Sequence, residues 1–358
     1  MNAAQLDDQE KAPAALLAGL VTDSGWKIAE RVKRLDGQTG SAFSVGYFAV
    51  GDEGQIAFLK ALDFSSALKD ENPVAALDLA VQAYKYEEEM VMLCSNRKMT
   101  RIVRALESGY IRVDSTTLGR VPYLLFEPAE GDVRKAIASF NVVTLEWSLS
   151  LLHEVAVGLQ QLHQENIAHQ DLKPSNVLTF PERALFKLTD LGCSSQRGRN
   201  CPRDHKRVAG GWSVAPPELT YGEVSEDWLV RRVAADLYAL GSLAVFLVTG
   251  ASMNAIVRHH LPEGKDAISW RGTFREVLPF VRQAYEDAFE FISPSFEIGP
   301  IAQELFRIVR ELCEPDPLLR GYRARAATYQ QYSIQRYVSR LANLRAQARY
   351  AARTILRA

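Results

Sequence analysis

The sequence predicts an α+β chain in two lobes, a small N-terminal lobe of antiparallel sheet plus a helix and a larger, mostly helical C-terminal lobe. Three observations predict it. Between Trp26 and Leu62 three short runs of strand composition are separated by Gly-containing turns. Beyond Val133 the apolar residues take up helical spacing, most clearly over Leu145 to Gln164. At 358 residues, the chain is long enough for each lobe to have its own core.

Composition excludes several classes. A formal net charge of −1 and 47% hydrophobic residues fit an ordinary globular protein. Four cysteines, Cys94, Cys193, Cys201 and Cys313, stand too far apart for a C-x-x-C or a disulfide framework, which points to a reducing compartment. Ala12 to Val21 reads as a short helix; it follows Asp7, Asp8 and Glu10 and so lacks the positive start of a signal peptide. The longest apolar run, Leu237 to Val248, is too short to cross a bilayer. The expected setting is cytoplasmic, with no membrane span. Near-neutrality hides an asymmetry: residues 321–358 hold eight Arg and no acid, leaving 34 basic against 43 acidic residues elsewhere.

Residues 1–25 form an extension with no recognisable chemistry. Strands are then expected over Trp26 to Val32, Phe43 to Val50 and Gln55 to Leu62. Lys60 ends an apolar strand, a place where lysine is usually a snorkelling surface residue. Asn72-Pro73 is a helix start, cap followed by Pro, for a helix to about Leu93 that ends in the acidic triplet Glu87-Glu88-Glu89. Val121 to Glu127 reads as a strand and Pro128 to Asp132 as a polar turn; helices follow over Val133 to Phe140 and Leu145 to Gln164.

His169-Gln170-Asp171-Leu172-Lys173-Pro174-Ser175-Asn176-Val177-Leu178 comes next, and it carries the chemistry. An acid, a cation and an amide share one short loop, at spacings suited to holding a hydroxyl near a metal-bound phosphate. Asp171 can accept the hydroxyl proton, Lys173 can neutralise charge on a moving phosphoryl, and Asn176 can ligate Mg²⁺ without adding charge. The stretch resembles the catalytic loop of the protein kinase family, H-R-D-L-x-x-x-N, with Gln170 in place of Arg and with Lys two residues after the Asp as in Ser/Thr kinases. The chain thus looks like a bacterial-type Ser/Thr kinase.

The resemblance implies further roles, in chain order. Asp36 to Val45 sits where kinases carry the phosphate-covering G-x-G-x-x-G-x-V; aligned on Val45 it keeps only Gly40. Lys60, fifteen residues after Val45, matches the strand-three lysine that orients the ATP phosphates. Phe58 stands where the family keeps a small residue against adenine. Glu89 matches the ion-pair partner of Lys60, with Glu88 second, and about ten extra residues are expected around Phe64 to Asn72. Phe126 falls at the gatekeeper position, the backbone of Glu127 and Ala129 at the adenine-binding hinge, Asp132 near the ribose, and Leu178 in the nucleotide site. Asp190, in Thr189-Asp190-Leu191-Gly192 and nineteen residues after Asp171, resembles the Mg²⁺-chelating Asp of D-F-G. Ala215-Pro216-Pro217-Glu218 resembles A-P-E and closes a basic activation segment, whose Cys193, Cys201 and His205 lack zinc spacing. Asp236 is the expected brace of the catalytic loop, and Glu218 the expected partner of Arg320.

The resemblance runs from about residue 26 to 322, giving an extension (1–25), an N-lobe with hinge (26–130), a C-lobe (131–322) and a basic C-terminal helix (323–358). It implies transfer from ATP·Mg²⁺, held between lobes, to Ser or Thr hydroxyls of a protein substrate. Two departures bear on this. Gln170 cannot hold a phosphorylated activation loop as Arg does, which suggests activity independent of loop phosphorylation. Gly211 replaces the Thr that usually bonds the catalytic Asp and Lys. With Phe58 and the thin glycine loop, Gly211 favours the rival reading, a pseudokinase scaffold or nucleotide-binding switch; a small-molecule kinase is a third. In the tail, Ile334, Tyr337, Leu341, Leu344, Ala348, Ala351 and Ile355 form a heptad seam flanked by Arg345, Arg349, Arg353 and Arg357. Docking on its own kinase domain is the first expectation, a protein partner or self-association the second, nucleic acid or membrane the last.

Overall fold

The structure, a computed structural model, describes residues 12–32, 44–113, 119–140, 142–180, 185–324 and 330–355. The chain divides into two compact units, Met1–Glu130 and Gly131–Ala358.

The first unit is built on a five-stranded antiparallel sheet of β1 (Lys27–Arg31), β2 (Ser44–Val50), β3 (Ile56–Leu62), β4 (Ala105–Arg112) and β5 (Arg120–Phe126), in the order β1-β2-β3-β5-β4. The sequence reading missed β4, whose Gly109 and alternating polar residues weaken its strand signal; a Cβ on Gly109 would stand 2.9 Å from the hydroxyl of Tyr123, its cross-strand partner. Strand alternation divides the faces. Val45, Tyr47 and Ala49 pair with Ala61, Leu59 and Ala57 and are buried with Ile28, Ile111 and Leu125. That face is covered by the N-terminal segment, where the expected short helix is instead a single turn at Pro13–Ala15. Gly19, at φ 87°, breaks the helix and sends Leu17 into the core, while Tyr47 donates its hydroxyl to the Ala14 carbonyl. The described part of the extension, from Ala12 on, thus contributes Ala14 and Leu17 to the first core.

Between β3 and β4 lie α1 (Ser65–Leu68), within the expected insertion, and α2 (Pro73–Asn96). Asn72 caps α2 by accepting the Ala75 amide. Tyr84, Glu87, Met90, Val91 and Cys94, at three- and four-residue steps, form its buried stripe.

The second unit opens with β6 (Gly131–Asp132), α3 (Val133–Ala138) and α4 (Leu145–Gln164), the last capped by Thr144. β7 (Ile167–Ala168), β8 (Val177–Phe180), β9 (Leu185–Leu188) and β10 (Ser195–Gln196) form two small sheets, β6-β8-β9 and β7-β10. After α5 (Pro217–Thr220), a π-helical turn at Leu229–Val233 feeds α6 (Ala234–Thr249), the central helix, which is buried almost throughout. The joint run Leu229–Thr249 is long and apolar enough to cross a membrane by length and composition alone, but its apolar window is 83% buried inside the protein, as in a core helix. α7 (Met253–His260), α8 (Phe274–Ile292) and α9 (Pro300–Leu312) complete the domain, and α10 (Gln335–Ile355) follows. Along α10, Tyr337, Leu341, Leu344 and Ala348 are buried. Its arginines meet acids of the same unit: Arg345 with Glu154 at 2.8 Å, Arg349 with Glu146 at 3.4 Å, and Arg340 with Glu304 and Glu311.

Candidate active site

In the first unit Lys60 Nζ lies 2.6 Å from Glu87 Oε1, both side chains largely buried. The expected partners were Glu89 and then Glu88, and the correction follows from helix geometry. At 100° per residue only Glu87 shares the buried stripe with Met90, Val91 and Cys94, whereas Glu89 is exposed and Glu88 accepts from the Tyr84 hydroxyl. Val45, which the resemblance places among the nucleotide-binding residues, is a second correction. The β2–β3 register pairs Gly46 with Lys60, so Val45 points to the opposite, core face and is not beside the lysine. The Lys60 face carries Gly46 and Phe58 instead. The Phe58 ring lies across Gly46, where a Cβ would come within 2.9 Å of it; the ring spreads over β2 on the same face as the lysine. Gly40 lies outside the described residues. Glu127 donates its amide to the Arg104 carbonyl and accepts the Arg104 amide on its carboxylate at 2.8 Å, which ties the end of β5 to the segment before β4. Ala129 follows in the segment leaving β5.

In the second unit Asp171 is 3% exposed, and its carboxylate accepts three hydrogen bonds: from Lys173 Nζ at 2.7 Å, Asn176 Nδ2 at 2.9 Å and the Gly211 backbone amide at 2.7 Å. The last replaces the side-chain hydroxyl missing at Gly211. It requires the neighbouring glycine, because a Cβ on Gly210 would fall 2.4 Å from the Gln170 carbonyl and 2.7 Å from Asp171 Cβ. The Gly210-Gly211 pair, unremarked in the sequence beyond the missing Thr, is how the backbone comes this close.

The loop is braced from beneath. Asp236 accepts the amides of His169 at 2.8 Å and Gln170 at 2.9 Å, and bonds His163 Nε2 at 2.9 Å. Burial pushes its carboxyl upward, but the His163 bond and charge, with His169 and the Gln170 amide, outweigh this and hold it below the usual value. These amide bonds hold Gln170 in the left-handed region at φ 67°, and Asp190 is left-handed too, at φ 63°. Such conformations cost on the order of 1 kcal/mol each and are kept where the surroundings enforce them. Gln170 also takes part in a pair that the sequence did not signal: its Oε1 accepts from Arg232, whose other nitrogen bonds Asp204 at 2.6 Å.

Asn176 commits its amide nitrogen to Asp171, so its oxygen Oδ1, which accepts one long bond from Ser175 at 3.3 Å, is directed elsewhere. An amide oxygen and the Asp190 carboxylate are the hard oxygen donors that suit Mg²⁺, which takes few protein ligands when phosphates supply others. Among the described residues no group of three or more His, Cys, Asp or Glu is poised to hold a metal by itself. The Cys193 thiol is pushed up to about 12, chiefly by burial and by the Asp171 charge, and is inert at neutral pH. Leu178 and Asp132 are cross-strand neighbours in the β6–β8 pair. Asp132 caps α3 through the Lys135 amide and pairs with Arg134 at 2.9 Å. Glu218 and Arg320 form a buried two-bond pair, each bond 2.8 Å.

A family model of the protein kinase domain matches residues 39–341. A serine/threonine-protein kinase of Pyricularia oryzae is 26% identical over 49% of this chain, and a probable serine/threonine-protein kinase of Clostridium perfringens is 26% identical over 55%. A probable serine/threonine-protein kinase of Dictyostelium discoideum is 24% identical over 66%. The matches span 19%, 27% and 43% of those relatives' own lengths, in that order, so the likeness is to a domain within longer proteins. With the domain model covering most of the sequence and the two units built as its lobes require, the chain belongs to the protein kinase family.

Proposed function

We propose that this protein is a Ser/Thr protein kinase that transfers the terminal phosphoryl of ATP to hydroxyls of a protein substrate. The observation that carries the reading is the carboxylate of Asp171, set by Lys173, Asn176 and the Gly211 amide as a proton acceptor beside a cation. Lys60, held by Glu87, supports the α and β phosphates. Asp171 receives the proton of the substrate hydroxyl, and Lys173 offsets charge on the phosphoryl in transit. Asn176 Oδ1 and Asp190 are the residues that would hold Mg²⁺, which would supply positive charge against that developing on the transferred phosphoryl. Leu178, Asp132 and the backbone of Glu127 and Ala129 complete the nucleotide contacts in this reading. The test is phosphotransfer to an outside protein substrate, with Asp171→Asn and Asp190→Ala as controls. Loss of transfer in both variants, with folding intact, is expected; wild-type rates in either would overturn it.

A pseudokinase scaffold is the second reading, favoured by the Phe58 ring on the Lys60 face. A thermal shift with ATP and Mg²⁺ but no transfer above the Asp171→Asn control would select it. The proposal includes docking of α10 on its own domain in solution, supported by Arg345–Glu154 and Arg340–Glu311, and a cytoplasmic setting, supported by four buried free thiols.

A further inference from the structure

Arg232 is a fully buried cation, 1% exposed, at the π-helical turn before α6. One guanidinium nitrogen donates to Gln170 Oε1 at 3.1 Å and another to Asp204 Oδ1 at 2.6 Å. Gln170 returns the contact, donating its side-chain amide to the Arg232 carbonyl at 2.8 Å. The next residue, Arg231, donates to the backbone carbonyls of Asp204 at 2.5 Å and of Lys206 at 3.3 Å. Arg203 then closes the segment by donating to the Ala209 carbonyl at 3.2 Å. Two residues further on, Gly211 places its amide on Asp171. From Asp204 to Gly211 the activation segment is therefore pinned at both ends, by a charge pair at one and by the catalytic carboxylate at the other.

We propose that Asp204 and Arg232 are positioning residues that hold the activation segment permanently in place, so that Gly211 stays on Asp171 without phosphorylation of the segment; this rests on the kinase reading above. The cation that a loop phosphate would otherwise engage is absent at residue 170, and Arg232 reaches through Gln170 to an acid built into the segment. The acid cannot withdraw freely. Arg232 is almost wholly shut off from water, so releasing Asp204 leaves a buried charge beside the neutral Gln170 oxygen and a like-charged Arg231, a costly state for a cation that has lost its partner. Burial and Arg231 already lower the arginine's pKa while Asp204 opposes them, which agrees with the carboxylate being its compensating charge. The pinned stretch is short, so a shift of an ångström at Asp204 reaches Gly211 and with it the orientation of Asp171, where small displacements cost large factors in rate.

The test uses the full chain and Asp204→Asn, an isosteric change at a half-exposed site, with Asp204→Glu as the conservative control and Arg232→Lys as a second approach. Asp204→Asn is expected to lower kcat about tenfold or more with KM for ATP changed by less than about twofold, and Asp204→Glu to recover part of that loss. Hydrogen exchange at amides 206–211 is expected to speed up in Asp204→Asn and Arg232→Lys relative to wild type. Phosphatase-treated wild type should keep its activity. Unchanged exchange in Asp204→Asn, or a drop of more than about tenfold on phosphatase treatment of the wild type, would overturn the clamp. Should wild-type transfer fail to exceed that of Asp171→Asn, the kinase reading falls on that result, while the exchange rates still decide whether Asp204 pins the segment.

Discussion

Gly211 donates its backbone amide to Asp171 Oδ1 at 2.7 Å, and the glycine before it lies so close that a Cβ would meet the Gln170 carbonyl at 2.4 Å. At Gly211 itself an added Cβ meets Asp171 Oδ1 at 3.3 Å, a tight but adjustable contact. Gly210→Ala is therefore expected to lower kcat by on the order of a hundredfold by pushing the segment off the carboxylate. Gly211→Ala, which keeps the amide, should lose far less. Steady-state kinetics of the two variants check the ordering.

Lys60 separates the three acids of α2. Lys60→Met and Glu87→Gln should each reduce kcat/KM by roughly tenfold or more, because the pair fixes the lysine proposed to meet the phosphates. Glu89→Gln, at an exposed position, should stay near wild type. An equal loss in Glu89→Gln would return the role to that residue.

Removing one partner of a buried ion pair leaves the other unpaired, at roughly 3 to 5 kcal/mol. Arg320→Ala should lose about that much, which for a domain of this size lowers the melting temperature by roughly 10 °C. Glu218 is the partner concerned, and the double variant should lose less than the sum of the two singles. Calorimetry of both singles and the double measures the coupling.

Leu341, fully buried in α10, offers a test of the tail that spares its charge. Leu341→Ala should destabilise the domain by roughly 2 to 5 kcal/mol. A truncation after Tyr332 should lower the melting temperature of the monomer in the same direction. No change in either would mean that the helix is not held on the domain in solution.

Asp236 contributes a pH dependence of known sign. Its folded pKa is held below the unfolded value, so its stabilisation is fully present above the ordinary carboxylate range and is lost as pH falls through the folded pKa. Asp236→Asn should lower stability at pH 7 and flatten the loss of stability below about pH 4. Melting temperature against pH, in both proteins, checks it.

Much of this was legible because the signals are local. Asn72-Pro73 starts a helix by capping chemistry that needs no tertiary partner, and Asp171, Lys173 and Asn176 fall within one loop whose spacing limits their geometry. The face on which a side chain lands was not local. Val45 turned to the core because the β2–β3 register pairs Gly46 with Lys60, and an offset of one residue reverses a strand's faces. Glu87 displaced Glu89 because three successive acids on a helix point in three directions, and only packing against the sheet selects one. Gly210, Asp204 and Arg232 carry no pattern at all: they matter through contacts across 40, 28 and 62 residues of chain, between Gly211 and Asp171, Arg232 and Asp204, and Arg232 and Gln170. The sequence by itself determined the family, the two-lobe fold and the candidate reacting groups, since each is written in neighbouring residues; the tertiary structure decided which acid meets the lysine and what holds the Asp171 carboxylate, since close approach between distant backbones and buried charges exists only once the chain is folded.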